Sequence, residues 1–311
     1  MVLRAGLLWL SEQPRIFQFV RRNGLARQLA ARFVAGETVE AGVAAARELN
    51  AGGVTATLDV LGEAVRTAAE ARAARDTYLQ TLDRIGAVGA AAHVSVKLTQ
   101  LGFDVDEGLC ADHVRAIVAK ARSCGSFVRI DMEQSAYAER TLQLFKRTLH
   151  PEFGDAVGVV LQSYLRRTEP DVEQMIALGA RVRLCKGAYM EPAAVAFPDK
   201  RDVDANYVRC LERLLLKGAY PAIATHDARI IARATAFARD KGVAPSRFEF
   251  QMLYGVRRDL QVALRRQGYN VRVYVPFGTQ WYPYLMRRLA ERPANVAFLL
   301  GNVVRESLRR H

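Results

Sequence analysis

Residues 157–189 read VGVVLQSYLRRTEPDVEQMIALGARVRLCKGAY, an apolar β-type run, a helical stretch and a second β-type run. Both runs are short and rich in β-branched residues, and the interval between them is long enough for a helix. Strands that alternate with helices of ten or more residues argue for βα units on a parallel sheet. Working outward, the same unit recurs along the chain. On the amino-terminal side lie VTATLDVLG from Val54, HVSVKLTQLG from His93 and FVRIDME from Phe127. On the carboxyl-terminal side lie YPAIATHD from Tyr220, FEFQMLYG from Phe248 and VRVYVPFG from Val271. Eight units in about 250 residues predict an α/β fold, a closed (β/α)8 TIM-like barrel.

The runs are apolar in their first halves and polar at their ends. Lys97, Asp131, Gln162, Arg183 with Lys186, Thr225 with His226, Gln251 and Tyr274 all fall at or near a run's carboxyl end. A barrel builds its active site on that face, so these side chains are expected around one mouth. Any one of them has a bland explanation as a satisfied structural group. The pattern repeats on seven runs of eight, which structure alone explains poorly.

The last run leads into YVPFGTQWYPYLMRRLAER, residues 274–292, where a β-like segment breaks at Pro276 and Gly278 and a helix follows. Thr279 is the expected cap, Pro283 falls in the first turn, and Pro293 stops the helix. Arg287 and Arg288 stand side by side on it, and Glu291 lies at helical spacing to hold one of them. An arginine pair is usually a solvated face. Here Tyr274, Trp281, Tyr282 and Tyr284 add aromatic walls, and the set reads as an anion receptor on a final helix over the active site.

Residues 1–48 read as an N-terminal helical arm and residues 49–311 as the catalytic barrel, one domain overall. The connection from Met190 to Lys217 is longer than a βα unit needs, which suits a loop over the mouth or a cofactor.

Half of the 311 residues are hydrophobic, enough for a large core, and no apolar run approaches the ~18 residues that span a bilayer. The N-terminus has an acidic residue at Glu12 and lacks a small-residue cleavage site, so a signal peptide is not expected. Net charge is +13, but of the 45 basic residues 38 are arginine, scattered along the chain rather than gathered in a tail. A nucleic-acid partner is therefore disfavoured, and weak peripheral contact with an anionic membrane is left open. The four cysteines, 110, 124, 185 and 210, form no CxxC pair. Reduced thiols in the cytoplasm and no metal centre are expected.

No GxGxxG follows a strand, and GAVGA at Gly86 lacks the spacing of a dinucleotide site; a P-loop is missing too. Lys97 suits a Schiff-base lyase or aldolase, but Asp131 on the next run is its expected partner and would keep it charged. The cations then serve better as a carboxylate clamp of Lys97, Arg287 and Arg288, with Tyr189, Leu253, Tyr274 and Tyr284 around an apolar ring or chain. Such a site holds a small amphipathic acid. It has no evident nucleophile, acid and base pair or metal, so a cofactor is expected to do the chemistry.

RVRLCKGAY, ATHDA, FEFQMLYG and YVPFG…YLMRRLAER, in this order, resemble the proline dehydrogenase family, in size and order its monofunctional bacterial members. The resemblance implies an FAD enzyme that oxidises L-proline to Δ1-pyrroline-5-carboxylate by hydride transfer to flavin N5, with a membrane quinone as electron acceptor. It implies that Lys97, Arg287 and Arg288 clamp the carboxylate, with Glu291 orienting the arginines. Tyr274, Tyr284, Leu253, Ala188 and Tyr189 match the walls around the ring. Arg183 matches an arginine at the flavin edge and Asp131 the carboxylate supporting the site, both catalytic. For FAD the matching positions are Met132, Gln162, Arg183, Lys186, Gly187, Ala188, Thr225 and His226. The implied location is the cytoplasm, or the inner face of the cytoplasmic membrane.

Overall fold

The computed structural model describes residues 30–62 and 64–291, the side chains of 287–291 falling outside that description. Eight strands form a closed barrel in sequence order: β1 Thr55–Val60, β2 Ala92–Val96, β3 Val128–Ile130, β4 Val157–Gln162, β5 Arg181–Cys185, β6 Ala222–Ala224, β7 Glu249–Leu253 and β8 Asn270–Phe277. All neighbours are parallel, and β8 closes on β1 with Thr57 opposite Tyr274. Each strand is the run expected from the sequence. A parallel strand is covered on both faces, and that is why β4 is buried at every position and reads as an unbroken apolar stretch.

The helices of nine or more residues among the described residues are α1 Val39–Ala51, α2 Ala68–Val88, α3 Glu107–Ser123, α4 Ser135–Leu144, α5 Thr168–Ala177, α6 Lys200–Lys217, α7 Ala228–Asp240, α8 Arg258–Arg266 and α9 Trp281–Glu291. Local chemistry sets their ends. Thr67 and Glu70 form a reciprocal capping box at the start of α2, and Gly89 ends it in the left-handed region at φ 61°. Thr38 caps α1 by accepting from the Ala41 N–H at 3.2 Å.

One helix is displaced from the regular pattern, and it matters for the site. A ring helix after β8 would lie beside β8 and β1, yet α1 packs there instead. Its Gly42 lies against Phe277 at the end of β8, where an added Cβ would come within 2.8 Å of the ring. The chain after β8 is thereby released to cross the mouth. Trp281, Tyr282, Tyr284, Leu285 and Met286 of α9 form a separate apolar cluster with Ala30, Phe33, Val34 and Leu61, with Val256 against it. Leu61 follows β1 and Val256 follows β7, so this cluster sits on the carboxyl rim of the barrel. Trp281 Nε1–H also donates to Glu37 at 3.0 Å, tying α9 to the segment before α1.

Three boundaries differ from the sequence reading. β8 does not break at Pro276: it runs on to Phe277, with the Pro276 carbonyl accepting from the Ala35 N–H at 2.9 Å, and the turn comes at Gly278 (φ 126°). Next, α9 begins at Trp281, two residues after Thr279, the cap expected from the sequence. The division at 48/49 lies within α1, so a continuous helix joins arm and barrel. Glu12, Pro293 and the arm before Ala30 lie outside the described residues.

The barrel interior departs from the expectation of apolar first halves. Arg129, Glu249 and Arg272 lie well below the strand ends and are 2%, 2% and 6% exposed, beside buried Thr57, Asp59, Ser95, Arg183 and Gln251. Charges at that depth persist only when paired. Arg272 Nε bonds both Glu249 oxygens at 2.9 and 3.1 Å, and Arg129 donates to the carbonyls of Val159 and Arg181. No described helix is long and apolar enough to cross a membrane.

Candidate active site

The polar residues singled out from the sequence do gather at the carboxyl ends. Lys97 follows β2, Asp131 and Met132 follow β3, Gln162 ends β4, Lys186, Gly187, Ala188 and Tyr189 follow β5, Thr225 and His226 follow β6, and Leu253 ends β7. Arg183 and Tyr274 lie within β5 and β8. Tyr284 is buried on α9 above the rim.

Asp131 is the hub. Its Oδ1 accepts from Arg183 Nη1 at 2.7 Å and from Ser95 Oγ at 2.7 Å, while its Oδ2 accepts from the Tyr274 hydroxyl at 2.7 Å. Both oxygens are therefore committed, and Asp131 is not the partner of Lys97. That partner is Asp59 of β1, with Lys97 Nζ 2.6 Å from Oδ1 and Asp59 only 2% exposed. Burial by itself would lower the Lys97 pKa, but Asp59 overrides it and holds the ammonium above the ordinary lysine range. A lysine so protonated is an electrostatic ligand and a poor Schiff-base nucleophile. With Asp59, β1, the one run outside the expected pattern, also carries a polar group near its end, one that the sequence reading missed. The available signal was a carboxylate inside TATLDV, an otherwise β-type run.

Arg183 is gripped from both sides. Nη1 binds Asp131 and Ser95, Nε donates to Gln251 Oε1 at 2.5 Å, and the guanidinium carbon lies 5.2 Å from the centre of the Tyr274 ring. Its remaining nitrogen, Nη2, is buried without a hydrogen-bond partner among the described residues, and so is Gln162 Oε1. The other end of the Gln162 amide donates to the Met132 carbonyl at 3.1 Å, so the bare oxygen faces elsewhere. Leaving such groups unpaired costs about 1–3 kcal/mol each, a cost that a bound polar molecule would remove. Burial pushes the Tyr274 phenol well above its ordinary pKa, with Asp131 adding to it, so the hydroxyl stays protonated and donating.

Lys186 is held between Asp204 at 2.6 Å and Asp227 at 2.9 Å. Gly187 (φ 106°) passes so close to Tyr164 that a Cβ would lie 2.2 Å from the ring. The Lys186 carbonyl of this turn accepts from the Tyr164 N–H at 2.9 Å, so the turn packs directly on Tyr164, with no room for a side chain at Gly187. Beyond it, residues 190–199 run against the loop after β4, with the Arg166 N–H donating to Val195 O at 3.0 Å and the Phe197 N–H to Tyr164 O at 2.8 Å. Across the mouth the His226 Nε2 accepts from the Leu253 N–H at 2.9 Å, and Thr225 Oγ1 accepts from the Asp227 N–H at 3.1 Å. Arg287, Arg288 and Glu291 have helical backbone in α9; their side chains lie outside the described residues. Among the described residues no three His, Cys, Asp or Glu side chains are grouped to hold a metal ion.

Chemically, the mouth offers a fixed ammonium, a fixed guanidinium with one free edge and aromatic surface. This suits orienting an acid beside a polar cofactor.

Comparison with known proteins bears on what that acid is. The family model for proline dehydrogenase matches residues 43–300. The proline dehydrogenase of Deinococcus radiodurans is 42% identical over 97% of this chain and 98% of its own length. Proline dehydrogenase 1 of Bacillus subtilis is 41% identical over 98% of this chain and 100% of its own. Among solved structures, proline utilization A (PutA) from Bdellovibrio bacteriovorus, inactivated by N-propargylglycine, superposes with a TM-score of 0.80 at 28% identity. That match covers 85% of this chain and 32% of the much longer PutA chain.

Proposed function

The chain belongs to the proline dehydrogenase family, and from that premise we propose that it oxidises L-proline to Δ1-pyrroline-5-carboxylate with FAD as its cofactor. The observation that carries this reading is the Asp131, Arg183 and Tyr274 cluster at the mouth, with a buried edge of Arg183 left bare and Lys97 fixed by Asp59 at the end of β2.

FAD fits the residues present. Arg183 Nη2 and Gln162 Oε1 are the unmet donor and acceptor, and Gly187 lets the turn after β5 pack on Tyr164 beside them. Met132, Gln162, Arg183, Lys186, Gly187, Ala188, Thr225 and His226 would hold it. When bound, FAD supplies the hydride acceptor. The chain itself does the rest. Lys97 with Arg287 and Arg288 neutralises and orients the substrate carboxylate, Glu291 steadies the arginines, and Tyr274, Tyr284, Leu253, Ala188 and Tyr189 wall the ring. The substrate must present a free nitrogen lone pair to form the C=N bond, so the productive form is the neutral amine. Asp131 fixes Arg183 and Tyr274 in place. Arg183 places positive charge where negative charge develops on reduction.

A lipid-soluble quinone is the proposed electron acceptor, which puts a cytoplasmic protein at the inner membrane face as a peripheral contact, helped by its net charge of +13. In this reading residues 49–311 carry the catalytic barrel and residues 1–48 precede it as an arm, with α1 running unbroken across the division.

Turnover supplies the test. L-proline should drive reduction of a soluble quinone analogue and yield a product two hydrogens lighter than proline. A protein that leaves proline and the acceptor unchanged, but is trapped by borohydride on Lys97 with a carbonyl substrate, would replace this reading with a Schiff-base one.

A further inference from the structure

A chain of hydrogen bonds runs from the Arg183 guanidinium down the inside of the barrel. Arg183 Nε donates to Gln251 Oε1 at 2.5 Å, Gln251 Nε2 donates to Glu249 Oε1 at 2.5 Å, and Arg272 Nε closes on Glu249 from the neighbouring strand at 2.9 Å. Arg272 in turn donates to the Ala56 carbonyl at 2.7 Å. The strand order explains why this relay reaches across the barrel. Arg183 of β5 and Glu249 of β7 both register against Ala222 of β6, and Gln251 against Ala224. With only methyl groups on β6, two long side chains meet over it.

An amide has one donor end and one acceptor end of nearly equal size, so its neighbours decide which way it faces. A carboxylate at Glu249 accepts only, which turns the Gln251 NH2 toward it and leaves the oxygen for Arg183. In the opposite orientation the amide would set donors against Arg183 and an oxygen against a carboxylate. The charge on Glu249 is secure: burial would raise its pKa, but Arg272 and the Gln251 bond outweigh burial and hold it below the usual carboxylate value. At the upper end, Gln251 and Asp131 grip different nitrogens of one planar group. Together they fix its plane and so the direction of the bare Nη2.

We propose that Glu249 is a positioning residue: acting through Gln251, it sets the orientation in which Arg183 presents its free edge to the cofactor side of the mouth. The inference rests on the role given to Arg183 above. A purely structural account, in which Glu249 only neutralises Arg272, would let Gln251 be any side chain of similar size.

Two variants separate these accounts. Gln251→Met keeps the volume and leaves the Glu249 and Arg272 pair intact, while removing the Arg183 acceptor. Glu249→Gln with Arg272→Met replaces the ion pair below by neutral groups and frees the amide to turn. In flavin-loaded enzyme, Gln251→Met should lower kcat at least tenfold with proline KM within twofold. It should lower the flavin midpoint potential by about 30 mV, a tenfold change for a two-electron couple. The double variant should move both quantities in the same direction by a smaller amount. An unchanged potential and kcat in a folded Gln251→Met protein overturns the proposal, as does an effect of that variant without any effect of the double one. A flavin-free readout keeps the test independent of the assigned reaction. The Arg183 Nε–H resonance, identified by its loss in Arg183→Lys, should shift upfield in Gln251→Met, and a resonance that does not move sinks the relay even if wild-type protein oxidises no proline.

Discussion

Replacing Asp59 by Asn tests the least expected contact of the site, because it keeps the shape and removes the charge that holds Lys97. The pair is 2.6 Å long, with side-chain exposures of 18% for Lys97 and 2% for Asp59. Breaking a fully buried ion pair costs about 3–5 kcal/mol. Lys97 is partly wet and the new amide still accepts a hydrogen bond, so about 2 kcal/mol is a fair expectation, or a Tm lower by roughly 3 °C in a chain of this length. The pH dependence has a definite sign. The folded-state pKa of Lys97 is raised, so its stabilising contribution is complete below the unfolded lysine value near 10.4 and fades only above that, leaving the wild-type clamp charged throughout the assay range. In the variant Asp131 remains to oppose burial but the bonded Asp59 charge is gone, and Lys97 gives up its proton at lower pH than in the wild type. Loss of a charge-assisted bond to the proline carboxylate is worth about 1.5–3 kcal/mol, a KM increase of tenfold or more. The measurement is proline KM at pH 7 and pH 9 with a soluble quinone analogue. Taking the ratio of variant to wild type cancels the titration of the proline amine, common to both. The ratio should grow between the two pH values; a ratio near one at both, with an unchanged Tm, would refute the role given to Asp59.

Other consequences are as open to measurement. Arg288→Lys keeps a charge on α9 but loses the planar fork, and the apparent affinity for proline should fall more than tenfold; an unaltered KM removes Arg288 from the clamp. In Gly187→Ala a Cβ would lie 2.2 Å from the Tyr164 ring at φ 106°, so bound flavin should be largely lost while helix content by circular dichroism stays near wild type. Full flavin occupancy in that variant would mean that the turn does not approach the cofactor. Sedimentation with anionic vesicles should show association at low salt that weakens as salt is added, and no association at low salt discards the membrane contact.

What the sequence disclosed and what it hid have a common cause. Strands covered on both faces are rich in apolar residues, so runs such as VGVVLQ stand out, and eight in series leave few alternatives to a barrel. The direction in which a side chain points within a closed sheet depends on register, and register is not written in any one strand. Hence Glu249 and Arg272 were legible as strand residues but not as a buried pair, and Lys97 was assigned to Asp131 when its partner stands on the other neighbouring strand. Asp131 was legible as a site residue, but its three partners, Ser95, Arg183 and Tyr274, come from three different strands. The exchange of roles between α1 and α9 is likewise a packing outcome. α1 fills the gap beside β8, and α9 is left to cover the mouth with Tyr284.

The absorbance spectrum of the purified protein under anaerobic conditions tests the central claim most directly. The account predicts a flavin band that bleaches when L-proline is added and returns when a quinone analogue follows. A protein with no flavin band, or with a band that proline leaves unchanged, would contradict it.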